Sequence, residues 1–139
     1  MKYKRFGSKI VVRLEKGDEI LTKLKELCTK EKITLASLYG IGATNDCTLS
    51  LFEAETKTYH KKQLKGDYEI IPIAGNITTQ NGEPYLHIHI NLGDKANKSY
   101  SGHLNSAIIS VTCEIFIDII DGKIERFKDD ETGINLMGL

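Results

Sequence analysis

The residues Tyr68-Glu69-Ile70-Ile71-Pro72-Ile73-Ala74-Gly75-Asn76-Ile77-Thr78 are followed, one residue later, by Gln80-Asn81-Gly82-Glu83. Then comes Tyr85-Leu86-His87-Ile88-His89-Ile90-Asn91. Two apolar, β-branched runs separated by Asn-Gly predict an antiparallel hairpin, because Asn-Gly is the favoured pair for a type I′ turn. Strands are therefore expected over 68–78 and 84–92. Side chains alternate faces along a strand, so Leu86, Ile88, Ile90 and Leu92 point into a core while His87 and His89 project from the opposite face. Pro72 has no N–H to give a ladder, so the first strand carries an edge or a bulge there. His87 and His89 have Cα atoms roughly 6.6 Å apart on one face of a strand. A His-x-His pair so placed is the start of a metal site, and a third histidine lies downstream in Ser101-Gly102-His103-Leu104.

Most of the rest also reads as strand. Residues 2–15 carry Ile10, Val11, Val12 and Leu14. Residues 34–45 contain Tyr39-Gly40-Ile41-Gly42-Ala43, whose glycines mark close backbone approach; their spacing does not match the dinucleotide fingerprint. Residues 46–54 alternate, and 56–64, with His60, form a polar edge strand before a turn at Gly66. The longest strand is 107–119, with Ala107, Ile109, Val111, Cys113, Ile115, Ile117 and Ile119 as its core face. Asp121-Gly122 predicts a second hairpin leading to Ile124–Phe127. One helix interrupts the pattern. Gly17 breaks the first strand, Asp18 is the expected N-cap, and Ile20, Leu21, Leu24, Leu27 and Cys28 share one face up to about Lys30. The fold class is α+β: a mostly antiparallel, strongly twisted sheet of seven or eight strands with one main helix packed on one face.

The chain of 139 residues suits a single domain over 1–139, with a core over about 8–128 and a polar-then-apolar tail over 129–139. Nineteen basic and nineteen acidic residues cancel, so no global field favours nucleic acid or an anionic membrane. No apolar run reaches the roughly 18 residues of a membrane span, and no secretory signal opens the sequence. Cys28, Cys47 and Cys113 are odd in number and widely spaced; they read as reduced, buried thiols in a cytoplasmic protein.

The order of short motifs resembles the PPC domain, the plant and prokaryote conserved domain, in its stand-alone prokaryotic form. The residues that carry the likeness are Arg13 through Ile20, Gly40-Ile41-Gly42-Ala43, Tyr68-Glu69-Ile70 and Ala74-Gly75-Asn76-Ile77. It continues through Gly82-Glu83-Pro84, Leu86-His87-Ile88-His89, Gly102-His103-Leu104 and Glu114-Ile115. The resemblance implies an α+β fold assembling as a homotrimer, with His87, His89 and His103 binding a metal. Zinc is favoured, with another divalent transition metal as the alternative. Family members often have Gly-Gly before the third histidine, where this chain has Ser101-Gly102. Plant members pair the domain with an Arg-Gly-Arg-Pro AT-hook, which is absent here, so their DNA-binding label does not carry over with force.

Two functions follow as expectations. The first is a metal-binding trimeric module for regulation or protein interaction. The second is a zinc-dependent hydrolase or lyase, whose general base would come from Glu69 or Glu114, with Glu83 as a further candidate. The first reading, without catalysis, is preferred.

Overall fold

The computed structural model describes residues 1–139. In chain order the elements are β1 (Lys2–Phe6), β2 (Lys9–Glu15), α1 (Ile20–Glu31), β3 (Ala36–Glu53), β4 (Thr58–Gln80), β5 (Glu83–Gly93), β6 (Ser99–Ile119), β7 (Arg126–Lys128) and β8 (Asn135–Met137). The first six strands form one antiparallel sheet in the order β1-β2-β6-β3-β4-β5, and β5 also pairs with β6. That extra pairing closes β3, β4, β5 and β6 on one another. β6 spans the seam: Ser99–His103 pairs with β5, while His103–Ile119 runs along β3. β7 and β8 make a separate two-stranded ladder.

The hairpin at Asn81-Gly82 forms as the turn chemistry predicts, with both residues at positive φ (+53° and +80°). Ile88, Ile90 and Leu92 are buried, as alternation requires. The ladder between β4 and β5 slips between Ile70 and Ile73, around Pro72. Gly40 and Gly42 do mark close approach: a Cβ at Gly42 would sit 2.6 Å from the Cα of Cys113. Gly75 has the same role behind the histidines, since a Cβ there would meet the carbonyl oxygen of His87 and come within 2.8 Å of the Cα of Ile88.

Several expectations are corrected. Residues 2–15 are two strands, not one, because Gly7 turns the chain at φ +60° and β1 folds back on β2. Conversely, 34–45 and 46–54 are one strand, and so are 56–64 and 68–78. Gly66 takes φ +125° without a turn, and the breaks appear as register shifts inside continuous ladders. The helix is capped by Glu19, whose carboxylate accepts from the Leu21 N–H at 3.2 Å and the Thr22 N–H at 2.7 Å. Asp18 instead closes the preceding turn, accepting from the Glu15 N–H at 2.9 Å. Val111, expected in the core, is 69% exposed. Between Ile109 and Cys113 the partner advances only from Thr44 to Gly42, and this bulge turns Val111 outward.

The helix lays Ile20, Leu24, Leu27 and Cys28 against β5 and β6, within a core that also holds Ile10, Leu14, Ile73, Ile77 and Ile115. The tail returns to this body. Asn135–Met137 pairs with Arg126–Lys128, so Leu136 and Met137 are seated by β7, while Leu139 at the very end is fully exposed.

Candidate metal centre

His87 and His89 project from β5, and His103 from β6. His89 and His103 are directly paired across the ladder. The three ring centroids form a near-equilateral triangle with sides of 5.2, 5.3 and 5.5 Å. Their ligand nitrogens all lie within 4.8 Å of one another. The convergence follows from strand geometry. Period-two alternation puts His87 beside His89, and closure of β6 onto β5 delivers His103 to the same face. Three neutral imidazoles are a donor set suited to zinc and neighbouring transition metals.

Burial keeps His87 neutral. Desolvation, followed by the proximity of His103, Arg126 and His89, lowers its pKa from 6.5 to about 4. Burial and His89 lower that of His103 as well. In metal-free protein the unfolded chain takes up a proton on His87 near pH 6.5, whereas the folded chain does so only near pH 4. The stability linked to this group is therefore complete above pH 6.5 and lost as pH falls toward 4. The expected loss is about 1–2 kcal/mol, after allowing for solvent screening of a half-buried ring. Urea unfolding of metal-free protein at pH 7.5 and pH 4.5 measures it, and His87→Asn should flatten the difference; an unchanged slope in that variant would refute the assignment.

The histidines open onto a cavity of about 530 Å³. Tyr59 packs its ring 5.8 Å from that of His103, and Leu51, Phe52, Pro72, Tyr85 and Ile134 supply further walls. No carboxylate lines it. Glu69 and Glu114 lie instead along a separate groove with Ile41, Ile71, Val111 and Thr112. Glu83 is exposed beside the Asn81-Gly82 turn. The structure thus brings the three histidines together and places the three candidate bases elsewhere. His60 is on the surface, 3.2 Å from Glu53. The cysteines are free and buried, and desolvation raises each thiol to about 12.

Sequence reasoning missed Arg126 and Ser50, which also line the cavity. Arg126 lies between apolar Ile124 and Phe127 in a segment read only as strand. Nothing local marks it as buried; the tail ladder and the turned end of β4 enclose it.

Fold and histidine cluster together define an α+β protein with a candidate transition-metal centre. The Plants and Prokaryotes Conserved (PCC) domain profile matches residues 1–121, and the chain belongs to this family. It is similar to a protein from Bacteroides thetaiotaomicron described as a candidate for DNA binding. That likeness has 33% identity, covers 99% of this chain and 96% of the other, and has a TM-score of 0.96. A plant- and prokaryote-conserved protein from Pyrococcus horikoshii is 34% identical over 99% and 94% of the two chains, with a TM-score of 0.87. A metal-containing protein from Archaeoglobus fulgidus is 31% identical over the full length of both, with a TM-score of 0.90. The comparison with curated proteins finds no significant match. No helix is long and apolar enough to cross a membrane.

Proposed function

We propose that the chain is a metal-binding homotrimer acting as a regulatory or protein-interaction module. His87, His89 and His103 would hold zinc or another divalent transition metal. The observation that carries this reading is the meeting of three imidazoles, from two strands, within 4.8 Å. The metal-containing description of the Archaeoglobus relative supports it. Free, buried cysteines support a reducing, cytoplasmic setting.

Self-association is supported by an apolar outer face. Tyr39 and Ile41 on β3, Val111 and Phe116 on β6 and Ile71 on β4 are all exposed. Tyr39 and Phe116 stack at 5.4 Å. Single exposed apolar residues are ordinary, but a cluster of large ones marks an interaction surface.

The cavity beside the histidines favours a second reading, a zinc-dependent hydrolase or lyase. A bound zinc would supply a Lewis acid there. The chain itself offers Tyr59, Tyr85 and Arg126 to orient a small molecule, and apolar walls to exclude water. Glu69 and Glu114, the carboxylates considered as bases, sit in the other groove. Direct DNA binding draws support from the description of the Bacteroides relative. With a net charge of +0 it is expected to fail at physiological salt.

One preparation tests the main proposal. Untagged protein purified at pH 7.5 with zinc in the growth medium should carry close to one ion per chain by elemental analysis, and light scattering should return three times the chain mass. Metal-free protein under those conditions refutes the metal reading; a monomer refutes the trimer.

A further inference from the structure

The cavity beside the histidines holds a buried positive charge that nothing in the chain neutralises. Arg126 is only 6% exposed and lines the cavity. Its Nε donates to Thr78 Oγ1 at 2.9 Å, its Nη1 to the Asn135 carbonyl at 2.7 Å and its Nη2 to Asn76 Oδ1 at 3.0 Å. All three acceptors are uncharged. Arg126 belongs to none of the chain's ion pairs. Burying a cation without a counter-charge is costly, so a fold that does so invites an anion. The side chain is also well fixed. Its Cζ lies 4.8 Å from the centre of the Tyr85 ring, and its three bonds tie it to β4 and β8. A guanidinium has five N–H groups, so one remains on each terminal nitrogen.

Ser50 supplies a second, independent sign. Its Oγ is buried with no hydrogen-bond partner. It lines the same cavity and stands opposite His103 in the ladder between β3 and β6. Buried hydroxyls are nearly always satisfied, so an orphan in a cavity wall marks a place for a ligand's polar atom. Leu51, Phe52 and Ile134 make the adjoining wall apolar.

We propose that this cavity binds a small organic carboxylate, its two oxygens held by the free N–H groups of Arg126 and the hydroxyl of Ser50, its hydrocarbon body against Leu51, Phe52 and Ile134. The planar fork of arginine matches the two oxygens of a carboxylate. The apolar wall suits a hydrocarbon body, which inorganic phosphate lacks. The volume lies in the range of small-molecule sites. The inference rests in part on the metal reading, because neutral imidazole ligands would leave a divalent ion's two charges uncompensated beside Arg126.

Isobutyrate, its uncharged isostere isobutyramide and inorganic phosphate provide the test. Each is titrated into the full chain by calorimetry, with zinc content measured on the same samples. Isobutyrate should bind about tenfold or more tightly than the amide, and more tightly than phosphate. Arg126→Lys keeps the charge but loses the fork, and should weaken isobutyrate about tenfold and the amide, which offers a single acceptor oxygen, by less. Should that variant fail to fold, Ser50→Ala gives a milder check, selectively weakening the acid. Equal affinity for acid and amide, no binding of either, or tighter binding of phosphate overturns the proposal. The two readings separate cleanly. Zinc at one ion per chain with no preference for the acid sinks the carboxylate site alone; a retained preference without zinc sinks the metal reading alone.

Discussion

Replacing His103 by alanine is expected to reduce bound zinc from close to one ion per chain to a level below detection after dialysis. The reason is geometric. His87 and His89 are neighbours on one strand, whereas His103 is the only imidazole from β6. Without it the site keeps two ligands and loses the link between strands. Even partners that only orient metal ligands are worth about 10–100-fold in affinity, so loss of a ligand should exceed that. The fold should survive, because His103 is half-buried at a cavity wall while neighbouring Leu104 stays in the core. Elemental analysis beside a circular-dichroism spectrum decides the matter. A folded His103→Ala protein that retains stoichiometric zinc would remove His103 from the site.

The second large effect concerns the outer face. Ile41 and Val111 are 61% and 69% exposed and share a groove. In the proposed trimer they are covered. Charged groups buried there would lack partners, so Ile41→Asp with Val111→Asp should convert the assembly to monomers at micromolar concentration. In an isolated chain the same changes touch solvent and should cost little, within about 0.5 kcal/mol each. Sedimentation velocity reads the assembly, and thermal unfolding of the monomer reads the chain. An unaltered trimer would move the interface elsewhere.

The legible and illegible parts of this protein divide along one physical line. Most patterns carried by a few adjacent residues read correctly; the turn at Gly7 and the cap at Glu19, one residue past the expected Asp18, are the local exceptions. Asn81-Gly82 dictated its turn, alternation around Ile88 and Ile90 separated histidines from core, and the apolar stripe of α1 marked its buried face. The polar segment 58–65 pairs only with β3, as an edge strand should. What failed was decided at a distance. Gly66 resembles a turn, yet the ladder with β3 carries the chain straight through it. Asp121-Gly122 resembles a hairpin, but β2 and β3 already occupy both edges of that end of β6. The segment after it therefore found another partner, the tail strand β8. Arg126 was invisible for the same reason: its surroundings come from β4, β5 and β8, tens of residues away on one side and nine on the other. The histidines were legible as a pair and a third, and the family likeness joined them. Their cavity, closed by residues from every strand of the ring, was not.

The seam between β5 and β6 has a consequence for assembly of the native state. His89 and His103 face each other only in one alignment of the two strands. Sliding β6 by a single residue along β5 would swing His103 to the opposite side, because side chains alternate. An ion gripping all three imidazoles would therefore reward one alignment over its neighbours. The centre would then serve as a proofreader of strand registry, rejecting misaligned closures before the chain commits to them.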